Sequence, residues 1–272
     1  MVGSHAPGHH FAVQIVPQIP GVAAKEVAST PIVRIYSDQG QEARAHFLVD
    51  TGEVYALYAE LEQGISTIFL DQARMGDFLG NRFFYNFMAL ERHLIKDQQM
   101  ILHSCFVLYQ GEAILFTAPS GTGKSTQGDL WAKYRGAEVI NGDRSLIRYG
   151  DAVGSNNDDN ACENQISGNS VSRWLACGIP FSGTSGICKN VTVPIKAIVY
   201  LHQAPENRIV PLKGRRAFSL LYNQITVNHW NTEFTDTVCS MLDHLIAEVP
   251  LYELYCTPDE EAVKCLEKCF NQ

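Results

Sequence analysis

The stretch Ala118-Pro119-Ser120-Gly121-Thr122-Gly123-Lys124-Ser125-Thr126 constrains this chain more than any other. A branched, strand-like run at 113–116 enters it, and a helical pattern over 125–134 leaves it. Strand, glycine-rich turn and helix is the context in which G-x-x-x-x-G-K-[ST] sequences fold as phosphate-binding loops, and here Ala118 replaces the first glycine. Gly121 and Gly123 admit the backbone angles that turn successive N–H groups inward as an anion nest. The following helix adds unpaired donors and the positive end of its dipole. Lys124 is placed to reach the β- and γ-phosphates, and the Ser125 hydroxyl to ligate Mg²⁺. Ser120, Gly121, Thr122, Gly123, Lys124, Ser125 and Thr126 are therefore the expected contacts of a nucleoside triphosphate.

A triphosphate loop also needs a carboxylate for its metal. Asp143 is the best placed, where a short strand at 137–140 runs into a turn behind the loop–helix unit. It is expected to hold Mg²⁺ with Ser125, to take a proton from an attacking hydroxyl, or to do both through water. His103 lies on the strand before the loop strand, and a tight hairpin at Gln110-Gly111 brings it toward the phosphates. Protonated, it offsets anionic charge; neutral, it accepts a proton. A glycine- and serine-rich loop at 178–186, flanked by Arg173 and Lys189, suits a lid or an oxyanion turn. Should Asp143 not be the metal acid, Glu163 and Asp151 are the alternatives.

Composition excludes several other classes. Lys and Arg total 21 against 29 Asp and Glu, a net charge of −8 with no basic run. Nucleic-acid and anionic-membrane binding draw on clustered positive charge, so neither is expected. No run approaches the ~18–20 apolar residues of a bilayer span. The amino terminus has neither a charged n-region nor an apolar h-region, and the 8 cysteines form no CxxC pair. A cytoplasmic chain with reduced thiols is the expectation. Cys265 and Cys269 fall on the apolar face of a carboxy-terminal helix, where packing explains them better than metal ligation.

Two domains are expected. Residues 1–95 read as a small, antiparallel, β-rich domain with strands near 11–16, 32–36, 42–48, 54–59 and 65–70. It closes with a helix over 81–97, whose positions 83, 87, 90 and 94 share a face. Residues 96–272 read as an α/β domain. Its strands lie at 100–108, 112–116, 137–140, 145–149 and 195–201, with a polar turn at 151–160. Helices are expected near 215–224 and 232–247, with a last one capped by Thr257 and carrying Pro258 at its first position.

A strand bearing a histidine, a β-turn, a second strand, S-G-x-G-K-S-T and a downstream Asp together resemble the HPr kinase/phosphorylase family, which shares its core with the phosphoenolpyruvate carboxykinases. The likeness runs from Leu102-His103 through 114–126 and 139–144. The 195–201 strand and 257–263 resemble shorter members of that superfamily, so about the last two-thirds of the chain is covered. The resemblance implies an α/β HPr kinase-like core, ATP with Mg²⁺, and phosphoryl transfer to a serine hydroxyl of a protein or peptide. Lys124 matches the nucleotide lysine, Ser125 the metal hydroxyl, Asp143 the metal-linked acid and His103 the family histidine. The family usually carries two adjacent acids, whereas the first position here is Gly142. A small-molecule kinase acting on a free amino acid and a non-catalytic ATP-binding regulator are the alternatives. The β-rich front is placed to dock a peptide acceptor, and assembly as a homo-oligomer is left open.

Overall fold

The computed structural model describes residues 9–62, 64–78, 84–151, 172–181, 183 and 185–270. The polar turn at 152–160, Glu163, Ser182, Thr184 and the first residues of the 81–97 helical pattern lie outside them. The chain is mixed α/β with two sheets and divides into two compact units, Met1–His93 and Leu94–Gln272.

The first unit holds strands β1 (His10–Val16), β2 (Lys25–Ser29), β3 (Val33–Asp38), β4 (Gln41–Phe47), β5 (Val54–Glu62) and β6 (Ile65–Asp71), in the order β1-β6-β5-β4-β3-β2. From β2 to β6 the strands form an antiparallel meander, but β1 joins β6 in parallel, His10 opposite Ile65. The layer is therefore not wholly antiparallel, because the four intervening strands act as the long crossover that a parallel pair requires. Ala56, Tyr58, Ile68 and Leu70 bury one face under Phe78 and Phe87, while Leu57, Ala59 and Phe69 bury the other.

The continuous helix expected over 81–97 is instead broken into turns at Tyr85–Phe87, Leu90–Leu94 and Ile95–Asp97. Ala89, at φ 47, interrupts it. The cause is packing: Phe87 and Ala89 both enter the same cluster on the sheet. Two positions i and i+2 cannot share one face of an α-helix.

His46 on β4 is buried, its ring edge-on to Phe87, and its Nε2 has no hydrogen-bond partner among the described residues. Burial, helped by the Arg44 charge, pulls its pKa from 6.5 to about 4. The unfolded chain binds this proton more tightly. The resulting stability is intact above the ordinary imidazole pKa and lost as pH falls toward the folded value, by up to about 3 kcal/mol. Urea unfolding at pH 7 and 4.5 measures it, and His46→Leu is expected to flatten this part of the pH dependence.

The second unit is a three-layer α/β/α arrangement. Its strands are β7 (Gln99–Tyr109), β8 (Glu112–Thr117), β9 (Glu138–Asn141), β10 (Arg144–Gly150), β11 (Arg173–Gly178), β12 (Thr192–Gln203), β13 (Arg208–Pro211) and β14 (Leu251–Cys256). They lie in the order β11-β10-β7-β8-β12-β14-β13, with β9 paired to β7. On one face Trp131, Val263 and Leu266 of helices α1 (Lys124–Arg135) and α4 (Glu260–Phe270) cover Ile114, Phe116, Val199 and Leu254. On the other, Leu221 of α2 (Gly214–Tyr222) and Val238, Leu242 and Leu245 of α3 (Thr232–Glu248) cover Phe106, Leu115 and Ile198. The three parallel strands β8, β12 and β14 are buried on both faces, which accounts for the apolar runs of β8 and β12.

The carboxy-terminal helix differs from expectation at its cap. Asp259 Oδ1 accepts from Glu261 N at 3.0 Å, and the Thr257 hydroxyl donates to the other Asp259 oxygen at 2.8 Å. The Asp259 carboxylate, next to the first helical residue, caps the first turn, and Thr257 braces it. Cys265 packs against the Trp131 cluster.

Candidate nucleotide site

The phosphate-loop residues sit where β8 ends and α1 begins. Gly121 has φ 80 and Gly123 φ 115, angles that a β-carbon disfavours, and nothing lies within 4 Å of where one would project. Among the described residues no side chain caps α1 at Gly123, which leaves its first-turn N–H groups at the curl. Ser120 and Ser125 are exposed, Thr126 is exposed, and Lys124 is 8% exposed. The Lys124 ammonium folds back over the loop, donating to Ala118 O at 2.9 Å and Pro119 O at 3.2 Å. Burial lowers its pKa, and the neighbouring Asp143 charge works in the opposite direction. An ammonium held by two carbonyls in a partly desolvated curl is a cation kept ready for an anion.

Asp143 and His103 stand together on the β7 side of this loop. Antiparallel pairing sets His103 opposite Arg144, and Ser104 N donates to Asp143 O at 3.0 Å. His103 Nε2 lies 3.8 Å from Asp143 Oδ1, and Arg144 Nε lies 3.4 Å from Oδ2. Both side chains are 32% exposed, so the carboxylate is open to solvent on one side. Burial and the Lys124 charge hold the His103 pKa below the ordinary imidazole value, with Asp143 partly offsetting them. Thr117 Oγ1 donates to His103 O at 2.8 Å, and His103 N donates to Gln224 O at 2.8 Å, which fixes this strand end.

A residue the sequence reading passed over organises the turn. Asn141, fully buried, accepts at Oδ1 from Asp143 N at 2.9 Å and Arg144 N at 3.0 Å. Its amide donates to Ile179 O at 2.7 Å and Phe181 O at 2.9 Å. One side chain thus shapes the acid turn and ties the 178–186 loop to it. Its signal was present in Asn141-Gly142-Asp143, since Asn two residues before an Asp after a glycine is Asx-turn chemistry. Gly142 is equally constrained: a β-carbon there would lie 2.3 Å from Ser185 Oγ. A second acid at 142 has no room while that loop is in place. Replacing Asn141 by Ala is expected to cost about 2 kcal/mol, because two carbonyls and two N–H groups lose their partner together. Thermal unfolding of Asn141→Ala checks it.

The flanking cations do not converge as expected. Lys189 is paired with Glu138 at 2.6 Å. Arg173 lies opposite Gly150, at the far end of β10 from Arg144, and Asp151 beyond it accepts from Ser172 Oγ at 2.8 Å. Register carries these residues away because β10 and β11 are antiparallel and their shared end points off the loop. Arg144, over the Phe181 ring at 5.3 Å, is the cation that stays beside Asp143.

On the β12 side two clefts flank the loop. One, of about 360 Å³, is lined by Gly123, Thr126, Gln127, Gln203, Cys256 and Thr257 among others, with no charged side chain lining it among the described residues. The second, of about 450 Å³, is lined by Pro119, Ser120, Gly121, Thr122, Tyr200, Leu201, His202 and Gln203. Gln203 donates weakly to Gly121 O and Thr122 O at 3.3 and 3.4 Å, linking β12 to the loop tip. Among the described residues no group of three or more His, Cys, Asp or Glu gathers as a metal site. No helix of the described residues is long and apolar enough to cross a membrane.

A scan against protein-family models finds no match for this chain, and a search of curated proteins finds none either.

Proposed function

We propose that the chain is an ATP- and Mg²⁺-dependent kinase with an HPr kinase-like core. The carrying observation is the loop itself: a glycine-shaped curl ending in an uncapped helix, with the buried Lys124 ammonium lying across its own carbonyls. Lys124 would move from those carbonyls to the terminal phosphates, while the N–H groups of 121–126 cradle the polyphosphate. Ser125 and Asp143 are oxygen donors suited to Mg²⁺, which takes few protein ligands and fills its octahedron with phosphate oxygens and water. The ion supplies charge neutralisation on the transferring phosphoryl group. His103 and Arg144 flank the Asp143 carboxylate, at 3.8 and 3.4 Å. With the acid on the β7 side, the nucleoside end points toward β12 and β14, where the uncharged cleft beside Thr126, Gln203 and Thr257 suits a neutral base and sugar.

The acceptor, by resemblance to the HPr kinases, is the serine hydroxyl of a protein or peptide. The sheet of the first unit ends on β1 and β2, whose outer edges pair with no other described strand. Extended peptides add to such edges. Gly142, in place of a second acid, favours the alternative of an ATP-binding regulator without transfer. Calorimetric titration with Mg·ATP, followed by incubation with γ-labelled ATP and candidate peptides, separates the readings. Binding with transfer supports the kinase, binding without transfer the regulator, and absence of heat removes both.

A further inference from the structure

Phosphoryl transfer needs cationic charge at the oxygens of the group in flight. Lys189 is spent on Glu138, and Arg173 lies at the far end of β10. Arg144 is placed differently. Its cross-strand neighbour is His103, and paired residues of an antiparallel ladder put their side chains on one face. Cys105 and Val107, the next alternate residues of β7, pack into the cluster that holds Trp131 of α1. His103 and Arg144 therefore face the α1 side of the sheet. Gly128 of α1 lies directly over Cys105, whose Sγ would be 2.6 Å from a β-carbon there. From Gly128 back to Lys124 the helix covers about 6 Å, and from Cys105 back to His103 the strand covers about 7 Å. Both run toward the end of β8, because Cys105 pairs with Phe116 and Ser104 with Thr117. The first turn of α1 thus starts beside His103, one strand away from Arg144.

Its guanidinium is also held unlike those of Arg92, Arg135 and Arg216, each of which closes a two-bond fork on a carboxylate at 2.6–2.8 Å. Arg144 makes only the 3.4 Å approach of Nε to Asp143 Oδ2, longer than a charge-assisted bond. Among the described residues its two terminal nitrogens have no hydrogen-bond or ion-pair partner. The Phe181 ring lies against the guanidinium at 5.3 Å, and the side chain stays 37% exposed. Such stacking steadies the plane and leaves the edge donors available. A planar fork with spare donors, beside the candidate metal acid, suits two oxygens of a phosphoryl group. We infer that Arg144 is a further catalytic residue, the cation that meets the charge on the equatorial oxygens of the transferring phosphoryl group. The inference rests on the kinase reading above. In the step, the acceptor oxygen forms a bond to the γ-phosphorus and its proton passes to the Asp143 carboxylate. The bond from that phosphorus to the β,γ-bridging oxygen breaks, and its electron pair leaves with ADP. Arg144 contributes to this transition state more than to bound ATP, so its loss is read in rate and not in affinity.

The test uses the full chain, with γ-labelled ATP for the rate and Mg·ADP with fluoroaluminate as a mimic of the flat phosphoryl group in flight. In the parent, fluoroaluminate should tighten Mg·ADP binding at least about tenfold by calorimetry. Arg144→Ala should lose that gain, yet bind Mg·ATP within about threefold of the parent and melt at the same temperature. Transfer of label to water, or to a seryl peptide that the parent phosphorylates, should fall by about a thousandfold. Added guanidinium should restore part of it, and Arg144→Lys, which keeps the charge without the fork, only a small part. If Arg144 only braces Asp143, the Arg144→Ala deficit closes at saturating Mg²⁺ and fluoroaluminate still tightens ADP binding. That result overturns the inference, as does transfer within about threefold of the parent, and either leaves the kinase reading standing. A parent that binds no Mg·ATP, or binds it and transfers no label, removes the kinase reading and this inference together.

Discussion

Lys124→Ala is expected to weaken Mg·ATP binding by about a hundredfold or more. The ammonium is a cation seated within the loop and partly desolvated, and on the kinase reading its contact with phosphate would be a charge-assisted bond in a low-dielectric curl. Truncating one partner of such a pair costs roughly 2–5 kcal/mol, and each 1.4 kcal/mol is tenfold in affinity. Fold should survive, because only two hydrogen bonds are lost, one to the exposed Pro119 and one to the buried Ala118 carbonyl. Asp143→Asn should give the complementary result. The amide preserves shape and the backbone bonds through Asn141 and Ser104, so binding stays near the parent value while transfer falls about a hundredfold or more. Calorimetry and labelled-phosphate transfer on the two variants read these effects separately. Full transfer by Asp143→Asn would place the metal acid elsewhere, and undiminished binding by Lys124→Ala would remove the loop from nucleotide recognition.

The order of strands, glycine loop and helix was legible because each piece is local. The Gln110-Gly111 turn, the apolar 113–116 run and the glycines of the loop all act through neighbouring residues. What escaped depended on partners distant in sequence. β14 was invisible because Glu253 breaks its apolar pattern, and only Arg216 and His202, 37 and 51 residues away, make a carboxylate tolerable there. The parallel pairing of β1 with β6 and the break at Ala89 were likewise decided by the sheet they meet. Within the site, the glycines and Lys124 announce themselves by spacing. Asn141 announces only its local half, the turn onto Asp143 N and Arg144 N, because Ile179 O and Phe181 O come from a segment joined to it only in three dimensions.

The same distinction makes the first unit vulnerable at Arg92. Its guanidinium, 8% exposed, donates to both Glu60 oxygens at 2.7 and 2.8 Å and to Gly40 O at 2.6 Å, with Glu42 at 3.6 Å. Tyr58, wholly buried, donates its phenol proton to the same Glu60 at 2.8 Å. Burial alone would raise the Glu60 pKa, yet the Arg92 bonds overcome it and hold it at about 2. Arg92→Ala therefore strands a carboxylate in the interior and is expected to destabilise this unit by about 3–5 kcal/mol. The pH dependence should change with it. In the parent, the Glu60 contribution is complete above the ordinary carboxylate pKa of 4.5 and is lost as pH falls toward 2. In Arg92→Ala the stranded carboxyl takes up a proton more readily than in the unfolded chain, so acid should lessen the deficit. Urea unfolding of Arg92→Ala, Glu60→Ala and the double variant gives the coupling directly. A double variant markedly more stable than Arg92→Ala confirms that the uncompensated charge, and not the lost arginine stem, carries the cost. Additive losses would assign it to packing instead.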